Sequence, residues 1–201
     1  MSVYYFDGAQ ILAPFTIRSN EPIFEVETVN LQKQRASQDV QRWELSFNTL
    51  GTEDTQVDIM LASLENSHTA QTMVMPQLPA VDNAITINTS SASMVGSTAV
   101  GANTTIIDPA GISGLIPKGT FFKFSSHDKI YVTTSDTTVG STNVILGFYP
   151  KLQVAVTSSH TIQLKENAIL TFYRDIDNQQ GITFTDGVLS NVGSITLVEA
   201  L

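Results

Sequence analysis

Ser126, His127 and Asp128 set a hydroxyl, an imidazole and a carboxylate side by side, the three groups of a nucleophile, its base and the acid that orients the base. Adjacent side chains in a hairpin point in different directions, and triads are assembled from distant segments, so a turn is expected here rather than a catalytic centre. Asp175 and Asp177, with Asp186 nine residues on, offer carboxylates to a metal. The glycine and distal glutamate of a calcium loop are missing at the required positions, and Asp and Asn are common in tight connections, so these too read as turns. Arg42 beside Trp43 has the chemistry of a ligand-stacking pair, but alternation puts them on opposite faces of a strand, with Trp43 in the core. GANTTIID lacks both the lysine of a Walker loop and the three glycines of a dinucleotide fingerprint. The chain has no cysteine, which excludes disulfides, thiolate metal sites and cysteine nucleophiles. Its three histidines, His68, His127 and His160, lie 59 and 33 residues apart. No catalytic, cofactor-binding or metal-ligating residue is assigned, and neither enzymatic activity nor a cofactor is expected.

The elements that would position any site follow from the composition. Ten Lys+Arg against 19 Asp+Glu give a formal charge of −9, while charged residues make up only 14% of the chain and apolar ones 42%. A chain this apolar folds, and a negative surface does not suit phosphate binding, which needs clustered Lys and Arg. Abundant Ser, Thr and β-branched residues favour strands. No apolar run reaches the roughly 20 residues that span a bilayer, and MSVYYFDGAQ lacks the basic start and apolar stretch of a signal peptide. A soluble protein, not exported by its own sequence, is expected.

Along the chain, PIFEVETVNL alternates Phe24, Val26, Thr28 and Asn30 against Ile23, Glu25, Glu27 and Val29, the pattern of a half-buried strand. VQRWELSFNTL is the clearest strand, with Trp43, Leu45 and Phe47 on one face and Val40, Arg42, Glu44, Ser46 and Asn48 on the other. Glu25 and Glu27 with Arg42 and Glu44 suggest facing charged rows on neighbouring strands. Glu53 and Asp54 suit a helix N-terminus, and Val57, Met60, Leu61 and Leu64 follow at helical spacing, which predicts a short helix over about 52–66. From Ala80 the texture becomes Ser/Thr/Gly-rich. GTFFKFS, KIYVTTSD, NVILGFYP, HTIQLK and AILTFYRD then read as the strands of a small antiparallel barrel, followed by strands about ITFTDG and SITLVEA. Charge divides similarly: residues 1–80 hold four basic and ten acidic side chains, 81–170 five of each, and 171–201 one and four. The fold class expected is mainly β: a split β-barrel or sandwich with one short helix, plus an inserted small antiparallel β-barrel module. Residues 1–80 and 171–201 are expected to form one acidic β-barrel domain, and 81–170 the module.

Three stretches carry a resemblance: the strand QRWELSF, the Leu61 to Leu64 step, and the run Lys118-Gly119, Tyr131 to Asp136, Tyr149 to Leu152. In this order they resemble bacteriophage tail proteins of the distal tail protein family, over most of the chain except residues 1–20 and the Ser/Thr linker. The resemblance implies a virion structural protein: a ring, hexameric by analogy, beneath the tail tube at the tail tip or baseplate, assembled in the host cytoplasm. It also implies contacts with itself, the tail tube and other tail-tip proteins, a genome passing through the lumen without specific binding, and no membrane partner. Acidic flanks suit such a lumen, since like charge keeps DNA from sticking. Two other classes remain open: a capsid decoration protein, and a carbohydrate-binding β-module using Tyr4, Tyr5, Phe121, Tyr149 and Tyr173.

Overall fold

The computed structural model describes residues 5–27, 33–37, 40–50, 53–65, 68–175, 183–185, 188–191 and 193–201. Strand β1 (Tyr5–Phe6) turns through Asp7 and Gly8, at φ 46° and 82°, into the long β2 (Ala9–Asn20). An Asp-Gly pair at positive φ is what a two-residue hairpin turn requires. A ribbon of β3 (Ile23–Glu27) and β4 (Lys33–Ser37) precedes β5 (Arg42–Leu50), helix α1 (Glu53–Glu65), β6 (Gln71–Val74) and the one-turn α2 (Pro79–Ala84). Short strands follow: β7 (Ser91–Ser93), β8 (Thr104–Ile107), β9 (Gly114–Ile116), β10 (Phe121–Phe124), β11 (Ile130–Thr133), β12 (Thr137–Val139), β13 (Val144–Tyr149) and β14 (Thr161–Gln163). After a 3-10 turn at Lys165–Asn167 come β15 (Ile169–Arg174), β16 (Thr183–Thr185), β17 (Val188–Asn191) and β18 (Ile195–Glu199).

The protein is mainly β. One six-stranded antiparallel sheet, in the order β1-β2-β5-β18-β15-β6, curls into a half-barrel. Its central strands β5 and β18 come from distant parts of the chain. A second six-stranded sheet has the order β7-β14-β10-β11-β13-β8, and the pairs β3-β4, β9-β12 and β16-β17 stand beside the two. Each large sheet covers its own apolar cluster. Leu45, Phe47, Ile59, Leu170, Phe172, Ile195 and Leu197 lie in the first; Ile107, Phe122, Phe124, Tyr131, Leu146, Phe148 and Ile162 lie in the second. No helix among the described residues is long and apolar enough to cross a membrane.

β5 matches its expected strand, with Trp43, Leu45 and Phe47 buried and the alternate residues more open. Helix α1 matches its expected span, but its buried face differs. Gln56 and Ile59 are buried and Leu61 is exposed, because the helix covers the end of the half-barrel: Thr49 Oγ1 donates to Gln56 Oε1 at 3.4 Å, and Arg174 Nη1 donates to the Ile59 carbonyl at 3.2 Å. The side chain of Leu64 lies outside the described residues.

The strand expected at residues 22–31 is present as β3, but it is not half-buried. Among the described residues β3 pairs with β4 alone and is open on both faces, leaving Ile23, Phe24 and Val26 58%, 61% and 61% exposed; Thr28, Val29 and Asn30 lie outside the described residues. Nor do the charged rows face each other. Glu25 pairs with Lys33 at 2.9 Å across the ribbon, and Glu44 sits opposite Arg18 and Val198. AILTFYRD, grouped in the sequence with the middle strands, pairs instead with β18 and β6 of the first sheet.

Candidate functional site

Ser126, His127 and Asp128 occupy the turn between β10 and β11. Contrary to expectation, two of the side chains meet: Ser126 Oγ lies 2.7 Å from His127 Nδ1. Asp128 turns away to accept from Lys123 Nζ at 2.9 Å. On its other side His127 Nε2 lies 2.8 Å from the Tyr131 hydroxyl, whose oxygen accepts from the Gln153 N–H at 3.3 Å and whose phenol burial pushes up to about 12. Both ring nitrogens thus have a hydroxyl partner, and the imidazole is tied into the turn with no carboxylate among the described residues to orient it as a base. Burial first, then the Lys123 charge, holds His127 down at about 4, so the ring is neutral at pH 7.

The other expected positions also resolve into structure. Asp175 donates its backbone N–H to the Thr196 carbonyl at 3.0 Å; Asp177 and Asp186 lie outside the described residues. No group of His, Asp or Glu among the described residues is placed to hold a metal ion. Arg42 and Trp43 part onto opposite faces, the first exposed and the second buried. Of the aromatics considered for sugar stacking, Tyr4 lies outside the described residues, Phe121 is in the core, and Tyr5, Tyr149 and Tyr173 line different clefts. Lys118, Gly119 and Asp136, far apart in the resembling run, do come together. The Lys118 N–H donates to Asp136 Oδ1 at 2.7 Å, and the Gly119 N–H, at φ 85°, donates to the Thr133 carbonyl at 2.9 Å.

The densest buried polar chemistry lies at the seam where the two sheets meet. Trp43 of β5 packs edge-on against Phe121 of β10, with ring centroids 5.3 Å apart, and its Nε1–H donates to the Ile130 carbonyl at 2.8 Å. Gln77 acts as a surrogate strand: its amide nitrogen donates to the Phe121 carbonyl and its oxygen accepts the Phe121 N–H, both at 2.9 Å. Glu199, at the end of β18, accepts from the Ile130 N–H at 2.7 Å and the Trp43 N–H at 3.0 Å, and pairs with the buried Lys129 ammonium. Lys129 donates further to Gln41 at its carbonyl, 2.8 Å, and at Oε1, 2.6 Å. Burial pushes Glu199 up and Lys129 down, each opposed by the charge of the other. Tyr149 adds a rim contact by donating to Glu21 at 2.9 Å. Sequence reasoning singled out Trp43 but missed Lys129, Glu199, Gln41 and Gln77, whose partners lie 44 to 156 residues away.

A β scaffold whose buried polar groups hold its own sheets together has the makings of a structural protein. The family model of the distal tail protein pb9, B domain, matches residues 83–166, less than half of the chain; this stretch is similar to a domain of phage distal tail proteins, which supports a structural role in the phage tail. No curated protein matches the chain.

Proposed function

We propose that this virion tail component is a ring-forming subunit of the tail tip or baseplate, six to a ring as the resemblance implies, linking the tail tube to more distal tail parts. The observation that carries the reading is the distal tail match at residues 83–166. The arrangement of the remaining strands supports it. The curled sheet stops short of closure, and its two edges, Tyr5 to Asp7 on one side and Thr72 to Val74 on the other, line a cleft of about 530 Å³. Unpaired edges and the exposed Ile23, Phe24 and Val26 of the ribbon β3-β4 are aggregation liabilities in a monomer, and ring assembly gives such surfaces partners. The ring contacts come from residues 1–80 and 171–201, whose acidic balance also suits a lumen through which DNA passes without binding. Assembly takes place in the host cytoplasm, before the tail is complete.

Within this reading, residues 81–170 are an inserted module. Its separate apolar cluster favours this, as does the closeness of its entry and exit, where the Met75 N–H donates to the Ala168 carbonyl at 2.7 Å. The test is native mass spectrometry with negative-stain imaging of the purified chain. Closed rings support the proposal, and monomer alone at high concentration, in the presence of tail tube protein as well, overturns it.

A further inference from the structure

At the seam, apolar packing and polar bonding have different consequences. Phe121 and Ile130 of the second sheet sit in the apolar cluster of the first, beside Trp43. Such contact is non-directional and tolerates sliding. The bonds around Lys129 do not. Its ammonium uses all three donors, to the Gln41 carbonyl, Gln41 Oε1 and Glu199 Oε2, and each bond crosses from the second sheet to a residue of the first or its approach. The Glu199 carboxylate answers with one oxygen on the Ile130 N–H of β11, while the other takes the Trp43 N–H of β5. Both side chains are buried, at 1% and 0% exposure. Gln41 Nε2 is buried and has no partner among the described residues, so the ammonium is what holds that side chain there. A buried ion pair gives little net stability over apolar residues of similar volume, yet removing one partner is strongly destabilising.

We propose that the Lys129–Glu199 pair is an orientation latch, fixing the angle at which the second sheet, and with it the distal tail B domain, stands on the half-barrel. It specifies one arrangement of the two sheets; the apolar contacts supply most of the adhesion. The latch is independent of ring formation and is tested within a single chain.

The chain has no cysteine, so spin labels can be placed without background. Thr16→Cys on β2 is paired in turn with Ser93→Cys on β7 and Ile145→Cys on β13 of the second sheet, and the labelled chain is diluted with unlabelled chain. With Lys129 and Glu199 intact, both distance distributions should be narrow. Lys129→Met alone leaves a buried carboxylate without its cation and should lower the melting temperature by roughly 6–20 °C. In the double variant Lys129→Met/Glu199→Leu, which also takes the acceptor from the Ile130 and Trp43 N–H groups, both distributions should broaden or shift. Glu199→Gln, the smallest change, keeps an acceptor for those two groups, carries the same expectation for the distances and keeps the test alive if the double variant fails to fold. Narrow, unshifted distances in the folded variants would overturn the latch.

Discussion

Trp43 concentrates several of the seam's contacts in one side chain: an edge-on contact with Phe121, a second with Tyr149, and a hydrogen bond to the Ile130 carbonyl. Trp43→Ala should cost about 3–5 kcal/mol, as aromatic truncations in cores do, measured by chemical denaturation. Trp43→Phe keeps the ring but leaves the Ile130 carbonyl bare, and should cost about 1–3 kcal/mol. An alanine variant of unchanged stability would return Trp43 to the ligand-stacking role that its neighbour Arg42 suggested. His127 makes a second prediction, with a definite sign. Its native value of about 4 lies below the ordinary 6.5, so between those values the unfolded chain binds more protons. Stability should therefore fall as pH is lowered from about 6.5 to about 4, as a charge is forced onto the buried ring. Denaturation midpoints across that range check this: His127→Gln should flatten the slope, and an unchanged slope would count against the buried neutral ring.

At the scale of elements, what was legible in the sequence is what two faces of different polarity can encode. β5 alternates cleanly because one face meets the core and the other does not. β3 alternates too, yet neither face is covered, since its one partner strand is β4; alternation records polarity and says nothing of what lies opposite. The helix was legible in extent but not in register, because Ile59 is placed by the sheet end it covers and not by the Val57, Met60, Leu61 stripe. Lys129 and Glu199 carried no local signal, since a buried charge is recognisable only once its partner from 70 residues away is in place. Gly114 in β9 gives the sharpest test at this scale. It sits at φ 126°, and a Cβ there would lie 2.5 Å from the Thr86 carbonyl and 2.6 Å from Ile87 Cα. Backbone cannot yield as a flexible side chain can, so Gly114→Ala should destabilise by more than about 3 kcal/mol. Loss of amide protection along β9 and β12 should accompany it. A variant that melts like the parent would mean that this crossing is looser than the geometry states.

For the whole molecule, the proposed ring turns features that are liabilities in one chain into contacts between chains. The β3-β4 ribbon is the natural place to break them, because Phe24 and Val26 are largely exposed and belong to neither apolar cluster. Phe24→Asp/Val26→Asp should therefore change the stability of the single chain by no more than about 0.5 kcal/mol per site, while assembly, followed by sedimentation velocity, is lost. If the double variant assembles as the parent does, the ribbon is not part of the contact. The central claim, a ring-forming distal tail protein, is tested most directly by imaging the purified full-length chain by electron microscopy, alone and with tail tube protein. The account expects closed rings of six, with the B domains at one fixed angle around a lumen lined by acidic strands. Single subunits under both conditions, or open filaments in place of closed rings, would contradict it.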